Sequence, residues 1–226
     1  MRTSVRLGLA TAGIALGLLV AGCGGRQEPA TPVQQFIALA TAGVSADFTP
    51  LASPQDAMTR ADLIVEGTLV QVGEGIALRY PDAAKTLRRA NSYMTFVIAV
   101  DRVLAGDPAK VHNGRVYVAV RKSGAIDVRD VAAANPRART VAVLDDVTSW
   151  TPSPDAQVVR PNAVPAGAPL YAPYNDGMWL EGAGDVAARG YGHTDAHHGE
   201  EPGAAWSRSR RLADIATLLH SPAGPR

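Results

Sequence analysis

The chain reads as a mainly β domain of the α+β class, with flanking helices and a Pro/Gly-rich extension. Three observations predict this class. β-Branched, largely alternating runs recur at 63–72, 92–107, 114–124 and 138–146. Helical apolar spacing and caps appear before the first run and after the last, and five prolines crowd residues 151–169.

The elements follow in chain order. Residues 1–22 carry Arg2 and Arg6, then an apolar run to Val20, then the small pair Ala21-Gly22. Charged, apolar, small is the plan of an export signal. A spanning helix needs about 20 apolar residues. The run here is shorter and is broken by Gly8, Thr11, Gly13 and Gly17, so it makes a marginal permanent span.

The letters that close the run, Leu19-Val20-Ala21-Gly22-Cys23, resemble the lipobox of bacterial lipoproteins. That resemblance implies cleavage before Cys23, a thioether from its sulfur to diacylglycerol, and a protein held to the membrane on its extracytoplasmic face. The physics agrees, because two or more acyl chains retain a protein that one chain would release. The other reading of Cys23, a small buried hydrophobe or free thiol, fits its place after a signal segment less well. It is the chain's one cysteine, so no disulfide can form and an exported domain must rest on burial alone.

Residues 23–32 are small, polar and proline-bearing, as a flexible tether should be. Next, Val33, Phe36, Ile37 and Ala40 share one helical face, and Gly43 marks the end. A second helix starts with Ser53 as cap, Pro54 in the first turn and Asp56 behind it, and gives way near Ala61. Strands are then expected at Leu63–Val72, through SYMTFVIAVDRVLAGD, in GRVYVAV and in ARTVAVLDD. The second is mostly apolar on both faces at first, which predicts burial of that part on two sides. Beyond 150, PLYAPYNDGMWLEG should turn at Asn-Asp-Gly, and Met178–Glu181 should face Val186–Ala188 as a hairpin. Leu212, Ile215, Ala216 and Leu219 mark a last helical segment from Trp206 to His220. The chain thus divides into a signal at 1–22, a tether at 23–32, a β core with N-terminal helices at 33–150, and a loop-rich extension at 151–226 that completes the β domain and ends in a helix.

Part of this pattern is similar to a β-barrel module common in exported bacterial proteins. The residues that carry the likeness are Ala61, Asp62, Ile64, Val65, Gly67 and Leu69, then Val100, Val103, Leu104, Gly106 and Asp107, within about residues 55–122. The resemblance implies a small OB-like β-barrel, also seen in netrin-like and protease-inhibitor domains, most of whose members have no known activity. This chain lacks the inhibitors' disulfides, which argues against inhibition.

Charge narrows the partners. The chain has 22 Lys+Arg and 21 Asp+Glu, and residues 1–22 hold two arginines and no acid, so the remainder is negative by one. That balance offers nothing to nucleic acid or to an anionic lipid surface.

Two segments could carry chemistry. GYGHTDAHHGEE brings together His193, Asp195, His197 and His198, the right donors for zinc or a similar ion. Flanking glycines and Pro202 oppose the helix that would pre-place them, so a solvated polar loop is the favoured reading over a metal site. Tyr171, Tyr174 and Trp179 could present a surface for sugars or peptide side chains, or pack into the core. No nucleophile elbow, phosphate loop, zincin pair or calcium loop occurs, which argues against the well-marked enzyme classes. The leading expectation is a lipid-anchored binding module for an envelope protein or cell-wall ligand, acting through the loop-rich region. The alternative is a metal-binding protein or metal-dependent hydrolase using loop 193–201, and a third option is purely structural.

Overall fold

The computed structural model describes residues 30–44, 51–89, 92–182, 189–190, 206 and 211–220. Helix α1 (Pro32–Thr41) starts with a capping box. Thr31 Oγ1 accepts from the Gln34 amide at 3.3 Å, and Gln34 Oε1 accepts from the Thr31 amide at 2.8 Å. Helix α2 (Pro54–Arg60) is capped by Ser53, as expected from its sequence.

Strand β1 (Leu63–Glu74) pairs antiparallel with β3 (Tyr93–Gly106), and β3 pairs with β4 (Arg115–Arg121). Between β1 and β3 lie β2 (Ala77–Arg79) and α3 (Ala83–Arg89), neither of them expected from the sequence. Helix α4 (Val128–Ala133), also unassigned, precedes β5 (Arg139–Asp146), which returns to the free side of β1. Strand β6 (Gln157–Val159) pairs with β2 as a separate ribbon. Strand β7 (Leu170–Leu180) pairs with β5, and its first residues meet β4 in parallel, Tyr117 opposite Leu170 and Val118 opposite Tyr171. That last contact closes the ring β4-β3-β1-β5-β7 into an OB-like barrel of five strands.

Closure needs bending. The β1–β3 ladder slips at three places, after Ile64, Glu66 and Leu69, and each bulge adds local twist. Gly67 sits at the second slip, and Gly106 (φ 95°) ends β3 in a conformation that favours glycine. The residues of the exported-module pattern are therefore bends, turns and packing positions.

The near-continuous apolar strands are buried on both faces. Leu63, Val65, Leu69, Phe96, Ile98, Val118, Leu144 and Met178 fill the barrel, and α1 and α4 cover one end, with the rings of Phe36 and Phe96 5.7 Å apart. Outside, Ile64, Val141, Val143 and Trp179 pack under α2 and α5 (Leu212–His220), joined by Trp206. On another outer face, Val164 and Ala168 of the β6–β7 connection cover Val97, Tyr117 and Ala119. Glu66 is buried in this outer shell without being orphaned. Arg102 and Arg139 each reach one of its carboxylate oxygens at 2.6 Å.

Three expectations are corrected. Asn-Asp-Gly does not end a strand. Residues 174–177 bulge out of β7 between the pairs Leu144–Pro173 and Ala142–Met178, with Asp176 at φ 53°, and the strand then continues. The strand that returns on Trp179 and Leu180 is β8 (Arg189–Gly190), and residues 183–188, which include the expected partner, lie outside the described residues. The last helix begins at Leu212, with Trp206 in a turn ahead of it.

Candidate binding cleft

Past Thr68 the ladder from β1 to β5 stops, and β1 runs on with β3 alone to Glu74. The outer side of this overhang forms one wall of a cleft of about 560 Å³, with Gln71, Gly73, Glu74 and Tyr93 along it. The opposite wall is Val159, Arg160, Pro161, Asn162 and Ala163, which leave the β2–β6 ribbon and lead back to the barrel.

The connection and the ribbon are held by specific contacts. Arg160 donates to the Ala168 carbonyl at 2.6 Å and to the Thr148 carbonyl at 3.2 Å, folding the connection back on itself. Thr148 ties the same loop to β7, its Oγ1 accepting from the Leu170 amide at 2.9 Å. The ribbon is steadied at its outer end by Lys85, which lies 3.0 Å from an Asp155 carboxylate oxygen and 4.0 Å above the Tyr80 ring centroid.

Trp150 lies outside the cleft lining and packs against Tyr93, which is part of it. Its ring centroid is 6.3 Å from that of Tyr93, and the planes meet at 65°, so the two rings form a corner. Among the described residues Trp150 is the large hydrophobic side chain left exposed, at 38%. Gln71, Glu74, Asn162 and Tyr93 line one concavity, and Trp150 borders it through its contact with Tyr93.

The three aromatics that the sequence offered as a binding surface do not share a groove. Tyr171 is fully buried in the barrel, and its hydroxyl donates to the Lys110 carbonyl at 3.2 Å. Trp179 is core, tilted against Trp206 at 5.0 Å. Tyr174 is half-buried under Arg60, whose guanidinium lies 5.2 Å from the ring centroid, and its hydroxyl donates to the Arg60 carbonyl at 2.8 Å. They were displaced from a surface role because β7 is a central strand with apolar layers on both sides. Cys23, His193, Asp195, His197 and His198 lie outside the described residues. Among the described residues no group of three or more His, Cys, Asp or Glu could hold a metal ion.

Sequence reasoning passed over Tyr93, Trp150 and Asn162. One signal was available: Trp150 sits in DDVTSWTPSP, a polar, proline-bearing connection with no apolar period to recruit it into a core face.

The burial of Tyr171 carries a pH consequence. Desolvation, with Asp146, Asp62 and Asp107 adding their negative charge, pushes its phenol from 10.0 up to about 12. The unfolded chain ionises this tyrosine first, so its contribution is complete below pH 10 and is lost as pH rises towards 12. Urea unfolding at stepped alkaline pH should show a loss of roughly 2 kcal/mol over that window. Tyr171→Phe should flatten the slope, and an unchanged slope in that variant would show that Tyr171 is not its source.

Comparison with known proteins adds no kinship: no family model matches the chain, and no curated protein and no solved structure matches it.

Proposed function

We propose that the chain is a lipid-anchored cell-envelope protein that acts by binding, and that the cleft between the β1–β3 overhang and the 159–163 connection receives its ligand. The observation that carries the binding reading is the aromatic corner of Tyr93 and Trp150 beside that cleft. A large exposed indole is costly to keep in water and is the type of side chain that supplies binding energy at recognition sites. The cleft belongs partly to the loop-rich region beyond 150, where a binding role was expected.

The anchor rests on the lipobox-like residues 19–23 and on the physics of acylation. Among the described residues no helix is long and apolar enough to cross a membrane. Eight residues separate Cys23 from Pro32, so at full extension the tether keeps α1 within about 30 Å of the bilayer.

Membrane fractionation and intact-mass analysis test the anchor. The wild-type chain should partition with membranes and carry a diacylglyceryl mass on Cys23. Cys23→Ser should either appear in the soluble fraction or retain residues 1–22 uncleaved. Normal retention and processing of the serine variant would overturn the anchor. For the cleft, Trp150→Ala should clearly reduce capture of ligand from envelope extracts while the far-UV spectrum is unchanged. Equal capture by both forms would remove the site.

A further inference from the structure

We infer that the cleft recognises an uncharged carbohydrate chain, an inference that rests on the binding reading above and names the ligand class of that site. Sugars present two kinds of surface: C–H faces that pack on aromatic rings, and a rim of hydroxyls that each need both donors and acceptors. Tyr93, which lines the cleft, and Trp150, packed against it at 65° and exposed beside it, offer aromatic surface to the first. Gln71 and Asn162 stand on opposite walls and supply amides that donate and accept, and Glu74 supplies a carboxylate that accepts two hydroxyls at once.

The charges argue against a phosphate-bearing ligand. Among the lining residues Arg160 is the one cation, and two of its nitrogens already donate to the Ala168 and Thr148 carbonyls. A nucleic-acid or phospholipid headgroup would bring several negative charges to Glu74 with no cation released to meet them. A single Glu74 with no carboxylate partner among the lining residues is equally poor for a strongly basic peptide. What remains well matched is a neutral polymer with hydroxyls and flat apolar faces. A cleft of about 560 Å³ accommodates two or three sugar units of such a chain.

The test uses the full chain in detergent and isothermal titration with defined probes: oligomers of N-acetylglucosamine, glucose and mannose, a neutral peptide of similar length, and a short single-stranded oligonucleotide. At least one oligosaccharide should bind. Trp150→Ala should weaken it roughly tenfold, and Asn162→Ala should weaken it independently. Arg129→Ala, whose side chain is 89% exposed on α4, should bind as the wild type does. Binding of the peptide or oligonucleotide instead, sensitive to Trp150→Ala, would overturn the carbohydrate inference and leave the binding reading standing. Binding of no probe, together with unaltered capture of envelope material by Trp150→Ala, would end both.

Discussion

Gly67→Ala is expected to cost about 3 kcal/mol or more, enough to unfold a marginally stable domain. A Cβ on Gly67 would overlap the carbonyl oxygen of Ala99 on the neighbouring strand and lie 2.9 Å from the Ile98 side chain. The carbonyl cannot swing aside as a side-chain tip could, because it belongs to β3, the strand that carries Phe96 and Ile98 into the barrel. Relief would have to come from separating β1 and β3, at a bulge on which the curvature of the barrel depends. Gly124→Ala is the control. A Cβ there meets nothing within 4 Å and the residue has no positive φ, so the change should stay within about 0.5 kcal/mol. Equilibrium urea unfolding of the two variants compares them directly. Wild-type stability in Gly67→Ala would mean that the two strands are not so closely apposed.

The glycine is also what made the barrel legible. In ADLIVEGTLV and VLAGD the sequence places Gly67 and Gly106 where β1 slips and where β3 ends, positions at which backbone geometry admits little else. The long strands could be read because burial on both faces produces uninterrupted runs such as Leu63-Ile64-Val65, with Leu63 and Val65 facing the barrel and Ile64 facing α5. Helices α1 and α5 could be read from single stripes, Val33-Phe36-Ala40 and Leu212-Ile215-Leu219. The short elements could not. In β2 only Leu78 is buried, and its partner β6 lies far along the chain, so nothing local marks it as a strand. Helix α4 has Asp127 as a cap, but only Val128 and Val131 form its buried stripe, too few to show a period.

The turn at Asn175-Asp176-Gly177 shows how a correct local reading can mislead. Asp176 does take a turn-like left-handed conformation, but Met178, Trp179 and Leu180 rejoin β5, so the turn is a bulge within one strand. Only the register with β5 decides that, and register is a property of two strands. The cleft was hidden for the same reason. Gln71, Tyr93 and Asn162 come from three stretches of chain, with Trp150 reaching Tyr93 from a fourth, and no spacing within any one of them foretells this. The aromatics that stand close together in sequence, Tyr171, Tyr174 and Trp179, drew attention by their density, and density of aromatics marks a core strand as readily as a binding face.

Trp206→Ala is expected to lose about 3–5 kcal/mol. Trp206 is 9% exposed, lies against Trp179 at 5.0 Å with a 34° tilt, and donates from Nε1 to the Leu51 carbonyl at 2.8 Å. It therefore links the approach to α2, the outer face of β7 and the start of α5 in a single side chain. Helices α2 and α5 have seven and nine residues, too short to hold a helical form without tertiary support. Their support is the outer cluster in which Leu51, Ala57, Val141, Val143, Leu212 and Leu219 surround the two indoles. Removing one indole opens a cavity in that layer and leaves a buried carbonyl short of its donor. Trp206→Phe separates the two contributions: it keeps most of the packing and loses the hydrogen bond, and should cost about 1–2 kcal/mol. Hydrogen exchange adds the spatial readout. In Trp206→Ala the amides of α5 should exchange well before those of β1 and β3, because the barrel interior is filled by a different set of side chains. If α5 stayed as protected as the barrel strands, or if Trp206→Ala unfolded at the wild-type urea concentration, the outer layer would have to be held by something other than this pair of rings.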